Sequence, residues 1–119
     1  MNTSPTAEER ALLAGAYSEF NARQIDAVLA RMDVNVDWPN GMEGGRVHGH
    51  QQVRSYWTRQ WNTIDPHVEP LELFKDEAGL IAVRVHQVVK DLEGNLLSDT
   101  IVQHVYHIKD GLILGMDIE

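Results

Sequence analysis

The sequence predicts an α+β fold, with helices gathered in its first half and packed on one face of a mainly antiparallel sheet. Three observations predict it. Apolar residues recur at helical spacing in two early stretches and again between His50 and Ile64. After Pro66 the chain reads as four strand-like runs parted by the short polar breaks "DEAG", "DLEGN" and "DG". Finally, the helices precede these runs instead of alternating with them, which makes a hairpin-linked meander the natural connection.

Each element follows from local chemistry. Thr6 with Glu9 fits a capping box, and Ser4 followed by Pro5 is the alternative helix start. Leu12, Leu13, Ala16, Tyr17 and Phe20 then form one apolar stripe, and Asn21 ends the helix. A shorter helix follows, with Ile25, Val28, Leu29 and Met32 on its inner face. "VNVDW" alternates as a strand that Pro39-Asn40-Gly41 stops. "GMEGGRVHG" is loop with a short strand at Arg46–His48, and its glycines read as a flap near a pocket mouth. It lacks the lysine and the strand–helix setting of a phosphate loop. The third helix runs from His50 to Ile64, with Val53, Tyr56, Trp57, Gln60, Trp61 and Ile64 on one side, and Pro66 forbids its continuation. The strands are His67–Lys75, Leu80–Lys90, Leu97–Lys109 and Leu112–Ile118, the last two joined at Asp110-Gly111, a two-residue turn that needs positive φ at both positions.

Length and composition bound the function. A chain of 119 residues is expected to form a single domain over residues 1–119 and to bury roughly two-thirds of its unfolded surface. Its 43% hydrophobic and 24% charged residues are those of a water-soluble globular domain. No apolar run reaches the roughly 20 residues that cross a bilayer. "MNTSPTAEER" lacks the features of a secretory leader. The absence of cysteine excludes disulfides and thiolate metal sites and makes a cytoplasmic location the expectation. A formal charge of −8, with no two basic residues adjacent, argues against nucleic acid and anionic membrane as partners. A small apolar molecule, or another protein, is the expected partner, and no metal or cofactor is called for.

The strand faces carry a further expectation. In Leu80–Lys90, Ile81, Val83, Val85, Gln87 and Val89 make a nearly apolar face, opposite Ala82, Arg84, His86 and Val88. Leu97–Lys109 is apolar on both sides, with Ile101 and Val105 on one and Val102, Tyr106 and Ile108 on the other. A sheet covered on one face alternates more cleanly. A homodimer packed partly through the sheet is therefore expected.

"YSEFNARQIDAVLARM", "VDWPNG", "GGRVHGHQQVRSYWTRQW" and "QHVYHIKDGLILGMDI", in this order, resemble the nuclear transport factor 2-like superfamily, in its SnoaL-like and ketosteroid-isomerase-like branch. The resemblance spans nearly the whole chain. It implies a cone-shaped roll, in which a strongly curved sheet wraps around three helices and leaves a deep pocket. It also implies a ligand of hydrophobic or polyketide-like type and, for the enzymes of the group, proton transfer without a cofactor. In ketosteroid isomerase an Asp moves the proton, while a Tyr and a protonated Asp stabilise the enolate. Those slots are poorly matched. The base's position before the proline is Trp38, with Asp37 one residue earlier. The acid's position before the His of "QHVYH" is Gln103, and the tyrosine's falls on Ala16, beside Tyr17.

The candidate residues follow. Asp37 is either a general base raised by apolar walls or a charge facing water, the outcome strand alternation favours unless a bulge turns it inward. Asp117 interrupts an apolar strand and is the second candidate acid, with Gly115 able to mark a bulge beside it. Gln60, Gln87 and Gln103 each interrupt an apolar face, so each either completes a core hydrogen bond or orients a ligand. Trp38, Tyr56, Trp57 and Trp61, with Tyr17, are ligand wall or plain core. His104 and His107 face opposite ways along one strand and cannot grip one ion. For a general base, His86 shares a face with Arg84 that is expected at the dimer contact, which leaves His48 and His107 as candidates. Together these residues describe a small-molecule-binding domain. In its catalytic form it is an isomerase, cyclase or dehydratase with Asp37 or Asp117 as base. The alternative is a non-catalytic ligand-sensing or dimerisation module.

Overall fold

The computed structural model describes residues 4–119, so the first three residues of the expected domain lie outside the described residues. In chain order the elements are α1 (Ala7–Asn21), α2 (Ile25–Ala30), β1 (Met32–Pro39), β2 (Arg46–His48), α3 (Gly49–Trp61), β3 (Ile64–Lys75), β4 (Ile81–Asp91), β5 (Leu96–Lys109) and β6 (Leu112–Ile118). The strands form a six-stranded sheet in the order β2-β1-β6-β5-β4-β3. It is antiparallel except where β1 runs parallel to β6. The sheet is curved and not closed, and the helices lie inside its bend: the expected cone.

The expected capping box is present. Thr6 Oγ1 accepts from the Glu9 N–H at 3.1 Å, and Glu9 Oε1 accepts from the Thr6 N–H at 2.8 Å. At the other end of α1, the Asn21 amide docks onto β3 as a further strand residue would, donating to Val68 O at 2.7 Å and accepting from Val68 N–H at 3.0 Å. Asp110 (φ 53°) and Gly111 (φ 78°) make the predicted β5–β6 turn.

Three expectations needed correction. Helix α3 stops at Trp61, and Ile64 already belongs to β3. Pro66 and Pro70 are tolerated inside β3 because it is an edge strand with no neighbour on one side. Met32 opens β1 instead of extending α2. Within β1, Val36 is buried but Val34 is 72% exposed. Asp33 Oδ1 captures the Asn35 N–H at 2.8 Å, and the register against β6 shifts between Met32 and Asp37, which throws Val34 outward.

The core lies between the helices and the concave sheet face. Leu13 of α1, Val53 and Trp57 of α3, and Ile81, Val83 and Val85 of β4 are buried in it. Removing a buried tryptophan such as Trp57 would destabilise the fold by about 3–5 kcal/mol.

Candidate binding cavity

Toward the middle of this layer the packing opens into a cavity of about 300 Å³. All three helices contribute to its lining, as do the Gly41–Met42 loop and five strands. Its apolar wall includes Trp38, whose ring meets that of Trp57 edge-on at 5.6 Å, and Phe20, whose ring lies 5.2 Å from that of Trp57. No Asp, Glu, Lys or Arg lines it. Its polar groups are three phenols, two amides and one imidazole: Tyr17, Tyr56, Tyr106, Gln60, Gln87 and His104.

Three of these form a chain. Helical spacing puts Tyr17 on the buried stripe of α1, next to Leu13 and Ala16. His104 and Tyr106 are two apart on β5 and share its inner face. The Tyr106 hydroxyl donates to the Tyr17 hydroxyl at 2.8 Å, and Tyr17 lies 2.8 Å from His104 Nδ1. A phenol has one proton, so Tyr17 accepts from Tyr106 and donates to Nδ1, and the neutral imidazole keeps its own proton on Nε2. Burial pushes both phenols up and lowers His104 to about 4, so none of the three carries charge at neutral pH.

Tyr56 is a second polar point. Its hydroxyl accepts from the Gly41 N–H at 3.1 Å and pairs with the Gln60 amide at 3.3 Å, and burial raises it above an ordinary phenol. The loop expected as a flap is tied down here. Asn40 and Glu43 exchange hydrogen bonds at 2.8 and 2.9 Å, and Glu43 pairs with Arg59 of α3 at 2.9 Å.

A sequence profile described as a SnoaL-like domain matches residues 13–116. The chain belongs to the SnoaL-like family. No curated protein matches it. Among solved structures it is similar to TerC co-crystallised with polyporic acid, at TM-score 0.82 and 21% identity, over 95% of this chain and 91% of that one. An NTF2-like protein of unknown function from Burkholderia pseudomallei superposes at TM-score 0.82 and 22% identity, covering 96% of this chain and 91% of that one. A Mycobacterium tuberculosis protein in complex with estradiol-17beta-hemisuccinate gives TM-score 0.79 and 18% identity, over 93% and 92% of the two chains. Identities this low carry the fold alone.

In this SnoaL-like domain the two candidate acids lie outside the cavity. Asp37 pairs with Arg46 Nε at 2.7 Å, with His48 at 3.4 Å, and its side chain is 45% exposed. Asp117, 70% exposed, meets Arg46 Nη1 at 2.9 Å. The reason is strand parity. Trp38 turns into the cavity, so its neighbour Asp37 points to the other face, and Asp117 likewise opposes Met116. Gly115 does not reverse this.

Of the expected wall, Tyr17, Trp38, Tyr56, Trp57, Gln60 and Gln87 line the cavity. Trp61 and Gln103 do not. Trp61 packs on Phe20 and Trp57 and lies under the Arg23 guanidinium at 5.1 Å, while Gln103, on the outer face, bonds Glu119 at 3.2 Å. His48 and His107 are exposed and line nothing.

The cavity groups that sequence reasoning missed are His104 and Tyr106. Their signal was present: both share the parity of Val102 and Ile108, one of the two apolar faces of that strand. What the cavity offers chemically is the Nε2–H of a neutral histidine, held in that tautomer by two phenols in an apolar setting. Such a donor can bind and polarise an oxygen.

Proposed function

We propose that this SnoaL-like domain binds an uncharged, largely apolar molecule and holds a carbonyl oxygen of that molecule on His104 Nε2–H, a tautomer that the Tyr17 and Tyr106 hydroxyls fix. One observation carries the reading: a hydroxyl–hydroxyl–imidazole chain in a cavity with no charged side chain. A charged ligand entering such a cavity would lose its hydration with no counter-charge in return. The crystallisation of similarly folded proteins with polyporic acid and an estradiol ester supports an apolar, oxygen-bearing ligand. We take residues 1–119 to act as one such domain, in the cytoplasm and without a cofactor.

If the domain is catalytic, its reaction is proton transfer beside that carbonyl, of the isomerase, cyclase or dehydratase type. His104 Nε2–H would stabilise the developing oxyanion, while neither His104, whose Nδ1 already accepts from Tyr17, nor Asp37 or Asp117, which lie outside the cavity, is placed to take the proton. The lack of a carboxylate on the cavity wall favours the other reading, a non-catalytic ligand-sensing module.

Quenching of Trp38 and Trp57 fluorescence by 1-tetralone tests binding, with Tyr17→Phe, which frees the His104 tautomer, expected to weaken it about tenfold, or about 1.4 kcal/mol. No quenching by 1-tetralone, or an unchanged affinity in Tyr17→Phe, would overturn the reading. Deuterium exchange at the carbon next to the tetralone carbonyl, followed by NMR, separates enzyme from binder: protein-dependent exchange that is lost in His104→Gln marks catalysis.

A second copy of this chain is the occupant we propose for the outer sheet face, where Phe74 is 49% and Ile101 51% exposed. Sedimentation of the protein and of Ile101→Glu tests this. A dimer that Ile101→Glu splits is expected, and a concentration-independent monomer refutes it.

A further inference from the structure

The cavity's polar side chains divide into those already engaged and one that is free. Tyr17, His104 and Tyr106 form one chain, and Tyr56 and Gln60 pair with each other beside the Gly41 N–H. The remaining Gln60 atom, Oε1, is closed off from the cavity. Gln87 differs from all of these. It lines the cavity, is only partly buried, and among the described residues its amide makes no hydrogen bond. Neither of its amide atoms is closed off. An amide on a cavity wall with both ends open is available to a guest.

Strand register measures how far Gln87 stands from the proposed carbonyl site. Gln87 pairs with Thr100 across β4 and β5, whereas His104 pairs with Val83, four positions earlier on β4. At a rise of about 3.3 Å per residue, the two polar residues are about 13 Å apart along the sheet at the backbone. Both face its concave side, so their side-chain tips lie closer together than their bases. The inner face between them is apolar, with Val85 on β4 and Val102 on β5. The cavity thus presents an N–H donor at one end, an open amide at the other, and an apolar span between.

We infer that Gln87 is a second recognition point for the same guest, and that this guest carries an uncharged oxygen at each end. Its carbonyl sits on His104 Nε2–H, and a hydroxyl at the far end of an apolar two-ring body sits on Gln87. An open amide offers donors and an acceptor, and a hydroxyl uses both kinds whichever way the amide is turned. A single ring is too short to join the two points, whereas two linked rings span them and fit a cavity of about 300 Å³. This rests on the carbonyl reading above and deepens it.

The test is a ratio of affinities, measured by titration calorimetry within one protein at a time, so that any change a variant makes to the cavity as a whole cancels. The long probes are 4-acetyl-4′-hydroxybiphenyl and 4-acetyl-4′-methylbiphenyl, whose hydroxyl and methyl groups are alike in size. The short probes are 4-hydroxyacetophenone and 4-methylacetophenone. In Gln87→Leu and in Gln87→Met, the hydroxyl-over-methyl ratio of the long pair should fall about tenfold from its native value. The ratio of the short pair should stay at its native value. A long-pair ratio that does not fall in either variant would overturn the inference. An equal fall in the short-pair ratio would do the same, because Gln87 would then act without the span to His104. If neither long probe binds the native chain, the Gln87 subsite fails alone when 1-tetralone still binds, and together with the carbonyl reading when it does not. If 1-tetralone binds and Tyr17→Phe weakens it, the carbonyl site stands whatever Gln87 does.

Discussion

The Tyr17 hydroxyl lies 2.8 Å from His104 Nδ1, with the two rings stacked 11° from parallel, although the residues stand on different layers of the fold. This pair joins α1 to β5 through polar atoms in an otherwise apolar interior. Removing one member strands the other. Tyr17→Phe should leave Nδ1 without its donor and Tyr106 without its acceptor, and destabilise the fold by about 1–3 kcal/mol in urea titration. The double change Tyr17→Phe, His104→Leu should recover part of that loss.

Acid should unfold the protein through the same histidine. Burial lowers His104 from 6.5 to about 4, so between those values the unfolded chain binds a proton that the folded chain refuses. Stability is then fully present above pH 6.5 and falls as the pH drops toward 4, by about 3 kcal/mol for a shift of this size. Melting temperatures recorded across that window should decline in the native chain, and His104→Gln should flatten the decline.

Asp37→Asn should leave ligand affinity unchanged, because the side chain lies on the outer face against Arg46. Its stability cost should stay within about 1 kcal/mol, as for exposed ion pairs generally. Arg46→Met should cost more, about 1–2 kcal/mol. Arg46 also donates to Met116 O at 2.5 Å and so fastens β2 to both β1 and β6. Chemical denaturation of the variants ranks these effects. An affinity change in Asp37→Asn would put the acid back among the ligand contacts.

Gly115 is set by crowding. A Cβ there would lie 3.2 Å from the Asp37 carbonyl oxygen, across the parallel β1–β6 pair. Gly115→Ala should push the two strands apart and cost about 1–2 kcal/mol, and Gly115→Val more. Thermal denaturation checks the order.

Much of the fold was legible because it rests on local rules. The Thr6–Glu9 box, the stop at Asn21 and the Asp110-Gly111 turn each depend on neighbours a few residues away. The site was legible where periodicity governed it, as for Trp38 and Trp57 on facing elements. It was not legible where partners came from distant strands. Nothing near Asp37 in sequence announces that Arg46 and Asp117 will surround it. The pairing of Tyr17 with His104 depends on how far α1 is tilted against β5, a property of the whole layer. Val34 shows the limit of alternation: one Asx contact at Asp33 was enough to break it.

The position of β6 has a consequence for how the molecule assembles. It lies between β1 and β5, so the sheet cannot bring its two halves together until that strand has been inserted. Helices and the β3–β4–β5 meander can collapse early from near-neighbour contacts, but Ile113 and Met116 are missing from the cavity until the long-range closure is made. In a refolding experiment followed by a fluorescent guest, hydrophobic collapse should therefore come first, and the capacity to take up the guest should arrive only with the slowest step.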